Sequence, residues 1–73
     1  MKSRIGDRID ERGLKNKFVA MKLGVTQVQV SKWRTGNSYP RVDKLFKLAA
    51  LLGVKVDDLY EMDDSSGNNE YEE

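Results

Sequence analysis

Apolar residues recur through the first 60 positions in short runs at helical spacing, and glycines or polar clusters separate the runs. Ile5 and Ile9 stand at i, i+4. Ser3 before them can cap a first helix, and Gly13 suits its left-handed stop. Residues 16–23 place Val19, Ala20 and Leu23 on one face, and Gly24 ends the segment. Thr26 is a good N-cap for a third helix over 26–35, closed by Gly36. Asn37-Ser38-Tyr39-Pro40 reads as a loop, with Tyr39 pushed toward extended geometry by the proline after it. A fourth helix over about residues 42–52 carries Leu45, Leu48, Ala49 and Leu52 on one stripe and stops at Gly53. Val56, Leu59 and Tyr60 suit a short fifth helix. No run alternates with the period of a strand, so the pattern predicts an all-α domain over residues 1–62. From residue 63 onward apolar content almost vanishes, which predicts a disordered tail over 63–73.

Charge divides the chain at nearly the same place. Residues 1–56 hold all 13 Lys and Arg and only four acids (Asp7, Asp10, Glu11, Asp43), an excess of +9. Residues 57–73 hold the other eight acids and no base, so the net +1 is the sum of a basic body and an acidic tail.

Composition then removes whole classes of chemistry. With Cys 0 there are no disulfides or thiolate metal sites, and with His 0 the commonest general base and metal ligand are missing. No nucleophilic triad or glycine-rich phosphate loop is present, so the expectation is no enzyme, no cofactor and no metal. Asp57-Asp58 and Asp63-Asp64 lack the spacing of a calcium loop. No apolar run approaches the length of a membrane span, and the charged stretch 1–12 has no secretory core. The expected location is the cytoplasm.

Residues 16–36 have the parts of a helix-turn-helix: two short helices, a small Ala20 inside the first, and Gly24 in the turn. Val25 and Val30 act as apolar pins. The wider string is more specific. Ala20-Met21-Lys22-Leu23-Gly24-Val25-Thr26-Gln27, Val30-Ser31-Lys32-Trp33, Gly36, Pro40 and the leucines from Leu45 to Leu59 resemble the Cro/CI-type (XRE-type) phage-repressor helix-turn-helix family. The resemblance covers roughly residues 5–60 and includes the closing Leu-Gly-Val-x-Val-Asp-Asp-Leu over 52–59. It implies a compact five-helix, lambda-repressor-like DNA-binding domain whose third helix enters the major groove of double-stranded DNA, usually as a homodimer on a palindromic operator.

Helix geometry indicates which residues would read bases. At about 100° per residue, Val30 and Trp33 share an inward face, while Val28 and Lys32 lie about 160° from Val30. Gln27 and Gln29 stand near the helix N-terminus, where base edges are usually met. Gln27 can pair with adenine, Lys32 can reach guanine, and Val28 suits a thymine methyl. The alternative for each is an ordinary solvated face. The resemblance matches its base-reading positions to Gln27, Val28 and Lys32, and gives Gln29 a base or phosphate role.

The resemblance further implies a phosphate contact at Asn16, flanked by Lys15 and Lys17, with others from Arg41, Lys44 and the loop residues Asn37 and Tyr39. Thr26 and Ser31 join this phosphate-contacting set. Singly each lysine reads as a solvated charge; within an excess of +9 they favour an anionic partner. Three departures stand out. The Arg–Glu pair that many relatives make between helices one and three becomes Ile9 and Arg34, which leaves Ile9 to pack on Trp33 and Arg34 for a phosphate or Asp10. Lys15 and Lys55 replace the usual capping residues of helices two and five, each at a cost of about 1 kcal/mol. Asn16 is shorter than the Gln often found there.

A monomer would read half a site, so a dimer surface is expected within residues 42–62, with Phe46, Leu51, Val54, Val56, Tyr60 and Met62 as candidates. The acidic tail reads either as a solvated appendage, as a competitor for the basic face, or as a docking segment for a protein partner. The function expected from all this is a sequence-specific transcriptional regulator, most simply a repressor. The alternatives are the antitoxin of a toxin–antitoxin pair and a protein-interaction module on the same fold. The module would predict a third helix without outward Gln, Lys or Arg, unlike Gln27, Gln29 and Lys32.

Overall fold

Each of the first four apolar stripes becomes a helix. The computed structural model describes residues 1–62 and contains α1 (Ile5–Glu11), α2 (Asn16–Leu23), α3 (Gln27–Thr35) and α4 (Val42–Leu52). A 3₁₀ turn follows at Val56–Leu59. Two short strands, β1 (Lys2–Ser3) and β2 (Tyr60–Glu61), pair antiparallel with Lys2 opposite Glu61 and Ser3 opposite Tyr60. The expected tail over 63–73 lies outside the described residues.

The core takes its members from every helix: Ile5 and Ile9, then Val19, Ala20 and Leu23, then Val30 and Trp33, then Leu48, Ala49 and Leu52, with Leu59 from the 3₁₀ turn. Leu45 is half-buried at the edge of its stripe. Burying each large aliphatic side chain contributes about 1.5–3 kcal/mol, which is how a chain this short holds together. No polar or charged residue is buried among the described residues.

The expectation of five helices in an all-α fold is corrected in two places. The fifth helix is a single 3₁₀ turn, because only four residues separate Lys55 from the strand that begins at Tyr60. The chain then pairs with its own N-terminus: the Arg4 amide donates to the Leu59 carbonyl (2.8 Å) beside the β1–β2 ladder. Strands of two residues are too short to carry an alternating pattern.

Ser3 stands one residue before the position expected of it: the N-cap of α1 is Arg4, without a side-chain cap bond. The Ser3 Oγ accepts the Ile5 amide (3.3 Å) and donates to the Trp33 carbonyl near the end of α3 (2.7 Å), so the N-terminal strand is tied to α3. The anticipated weakness at Lys55 is repaired from the other side, since the Asp58 carboxylate accepts the Lys55 amide at 3.1 Å. Arg8 secures the same turn by donating from Nε to the Asp58 carbonyl (3.0 Å).

A candidate nucleic-acid interface

The turn between α2 and α3 sets the geometry of the site. Gly24 ends α2 at φ 73° and ψ 34°, a conformation that a side chain would strain, and the Val25 amide returns to the Ala20 carbonyl at 3.0 Å. The chain then extends through Thr26, whose Oγ1 accepts the Gln29 amide at 3.1 Å and closes the first turn of α3. Val30 and Trp33 bury completely or nearly so, which fixes the rotation of α3 about its axis.

That rotation leaves Gln27, Val28, Gln29, Ser31 and Lys32 exposed. Val28 is 64% exposed, an unusual setting for a β-branched apolar side chain on an otherwise polar face. The side-chain hydroxyl of Thr35 donates back to the carbonyls of Ser31 and Lys32 (3.3 and 3.2 Å) and stays within the helix.

Lys15, Lys17, Asn37, Tyr39 and Arg41 are also exposed. Lys15 precedes α2 and Arg41 precedes α4, each in the extended conformation of a cap residue but without a side-chain cap bond. No acid stands in the first turn of α2 and no side chain caps its leading N–H groups, with Lys15 and Lys17 next to them in the chain. Gln29, Tyr39, Arg41 and Lys44 meet around a depression of about 170 Å³, floored by Val25, Trp33 and Pro40. The third helix, the loop after it and the start of α4 therefore share one surface.

Other expected contact residues carry internal bonds as well. Asn16 Nδ2 donates to Ser31 Oγ (3.3 Å), and Asn16 Oδ1 accepts from Arg34 Nη1 (3.2 Å). Arg34 Nη2 donates to both oxygens of Asp10 (2.9 and 3.2 Å). Of the two roles open to Arg34, the structure places it on Asp10. Its stem lies over Gly6, where an added Cβ would sit 3.5 Å from the Arg34 Cβ. One guanidinium thereby ties α1 to α2 and α3, reversing the sense of the family's pair, with the acid on helix one and the base on helix three. Lys44 Nζ donates to the Leu23 carbonyl (2.8 Å) at the C-terminal end of α2, where a cation suits the helix dipole. Its partner lies 21 residues away, and nothing in the local sequence signals the bond.

The six dimer candidates divide. Leu51, Val54, Val56 and Tyr60 are partly buried against the domain's own core, whereas Phe46 (60%) and Met62 (72%) are exposed. Val42, one turn before Phe46 on α4, and Met1 are exposed too and were not expected. Met1, Tyr39, Leu45, Tyr60 and Met62 line an open apolar groove of about 590 Å³. The ring of Tyr60 lies 5.6 Å from that of Tyr39, and its hydroxyl is enclosed without a hydrogen-bond partner. Burial, with the neighbouring Tyr39 phenol second, holds the Tyr60 phenol above its ordinary value of 10.0.

Among the described residues no cluster of acids is placed to hold a metal ion, and no helix is long and apolar enough to cross a membrane.

With this geometry in place, the comparisons are specific. The helix-turn-helix family model matches residues 5–59. A candidate DNA-binding protein from Bacteroides fragilis is 31% identical and superposes with a TM-score of 0.75 over 80% of this chain and 94% of its own. A transcriptional regulator from Listeria innocua is 25% identical, with a TM-score of 0.69 over 86% of this chain and 64% of its own. No curated protein matches the sequence.

Proposed function

The chain belongs to the XRE-type helix-turn-helix family, and on that premise we propose that it is a sequence-specific regulator of transcription, most simply a repressor that occupies its operator as a homodimer. The observation that carries this reading is the rotation of α3. Burial of Val30 and Trp33 turns Gln27, Val28, Gln29 and Lys32 outward together, and the exposed bases Lys15, Lys17 and Arg41 head the neighbouring helices.

In the major groove, Gln27 would pair with an adenine edge, Lys32 with guanine, and Val28 would pack on a thymine methyl. A phosphate would complete the open N-terminus of α2 at Asn16, and the Arg41 side chain would hold another before α4, whose first turn already has the Asp43 carboxylate on the Lys44 amide, fixing register without reading sequence. Lys44 would contribute its charge at the depression it shares with Arg41. The second subunit would sit against Val42 and Phe46 and the groove of Tyr60 and Met62, where apolar surface remains uncovered. Such a regulator acts in the cytoplasm without a bound cofactor, and no step of its action is catalytic.

The test is selection of bound sequences from random duplex DNA, alongside the mass of the protein in solution. Enrichment of a palindrome with half-sites about 10 bp apart, bound by a dimer, supports the reading. Absence of any enriched sequence overturns it.

A further inference from the structure

One apolar surface is left unused by DNA reading. Leu14, Phe18 and Met21 floor an open groove of about 600 Å³ beside the start of α2, with Lys15 and Lys17 on its rim. Met21 is 67% exposed, and Lys22 Nζ lies 5.5 Å above the Phe18 ring. Phosphates cannot cover thioether and phenyl carbons. An occupant of this groove needs an apolar anchor for the floor and carboxylates for the lysines.

The chain beyond Met62 has that chemistry. Its 11 residues contain five acids and no base, and their one large apolar side chain is Tyr71, set in Glu70-Tyr71-Glu72-Glu73. We infer that the Glu70–Glu73 segment docks in the Leu14/Phe18/Met21 groove of its own chain, with Tyr71 on the floor and the flanking carboxylates on Lys15 and Lys17.

Reach permits it. Eight residues lie between Met62 and Tyr71, so the chain between them spans up to about 30 Å, whereas a 62-residue domain is roughly 27 Å across from its expected radius of gyration. The point of departure is fixed by the pairing of Glu61 with Lys2. Tethering sets an effective concentration of about a millimolar, so even a weak contact is populated.

Docking has a consequence for the site, and here the inference rests on the DNA reading above. Lys15 and Lys17 flank Asn16, so the tail and a phosphate group compete for the same two cations. The tail then lowers the affinity for non-specific DNA, and a cognate operator displaces it.

Three full-length variants test this: Tyr71→Ala, the exposed Met21→Ser, and the double. Without DNA, the Met21 methyl resonance of the Tyr71→Ala protein should move from its wild-type position as the ring current is lost, with those of Met1 and Met62 unmoved. On a random-sequence duplex at low salt, each single variant should bind about two- to tenfold more tightly, as expected when a weak contact at millimolar effective concentration is removed. The double should gain no more than either single. A Met21 methyl that ignores Tyr71→Ala overturns the docking and leaves the DNA reading intact. A wild-type shift that varies with protein concentration assigns the groove to a second copy and overturns docking within one chain. If the methyl moves but wild type and variants alike fail to bind any duplex, docking stands and the DNA reading falls. Methyl movement with unchanged DNA affinity overturns the competition.

Discussion

Helices α2 and α3 are nearly equal in length and lie next to one another, yet they begin on opposite terms. Thr26 closes the start of α3 from within, and Val30 and Trp33 seat its inner face. At α2 the leading residue is Lys15, no side chain caps the first N–H groups, and the first turn has no acid. One helix is capped from within; the other starts with neither a side-chain cap nor an acid. On the function proposed above, the difference separates stability from binding: α3 would need a rigid seat because base reading tolerates little misplacement, whereas the open end of α2 would keep positive potential for a phosphate.

The largest effect should come from unseating α3. Trp33→Ala removes the largest buried side chain and should cost about 3–5 kcal/mol, read as a lower denaturation midpoint in urea. Loss on that scale removes most of the stability expected for a domain of this size. On the outward face the expectation inverts. Gln27→Ala should leave the midpoint in place but forfeit about 1–3 kcal/mol of discrimination at one position per half-site, with little change in the salt slope. A uniform loss across sequences would instead mark Gln27 as a positioning residue.

Exchanging the two kinds of helix start tests the contrast directly. Thr26→Ala should destabilise the free protein by about 1 kcal/mol. Lys15→Ser should do the reverse, since Lys15 already has the extended φ and ψ of a cap residue, and should stabilise by a similar amount. The same Lys15→Ser should weaken DNA binding and reduce the salt slope by about one. Stabilisation without that loss would mean that the α2 terminus does not face DNA.

The smallest effect lies at Tyr60. Its enclosed hydroxyl lacks a partner, so Tyr60→Phe should be neutral or stabilising by up to about 1 kcal/mol at neutral pH. Because the folded-state phenol is held above 10.0, its neutral form is favoured by folding. That contribution is present below the unfolded value and is lost as pH rises from about 10 through the folded one. Wild type should therefore lose stability over that range more steeply than Tyr60→Phe, in parallel thermal melts.

Much of this was legible in the chain. The i, i+3 spacing of Val30 and Trp33 gave the rotation of α3, and Gly24 with Thr26 marked the turn. The stripes of α2 and α4 show in the sequence because burial on one side of a helix leaves a periodic trace. The dimer candidates fared differently. Leu51, Val54, Val56 and Tyr60 look unpartnered on a helical projection but pack on the domain's own core, since the 3₁₀ turn and β2 fold back toward it. Val42, one turn before Phe46, is exposed as well.

Local spacing thus settled the helical runs, the helix-turn-helix and the outward set Gln27, Val28, Gln29 and Lys32, because each depends on residues within a turn or two of one another. Contacts between distant positions were decided only in three dimensions. The pairing of Lys2–Ser3 with Tyr60–Glu61, the Lys44 bond to Leu23, and the Arg34 bridge from Asp10 to Asn16 join residues 18 to 59 positions apart. No periodicity along the chain encodes such pairs; the packing of the core brings them together.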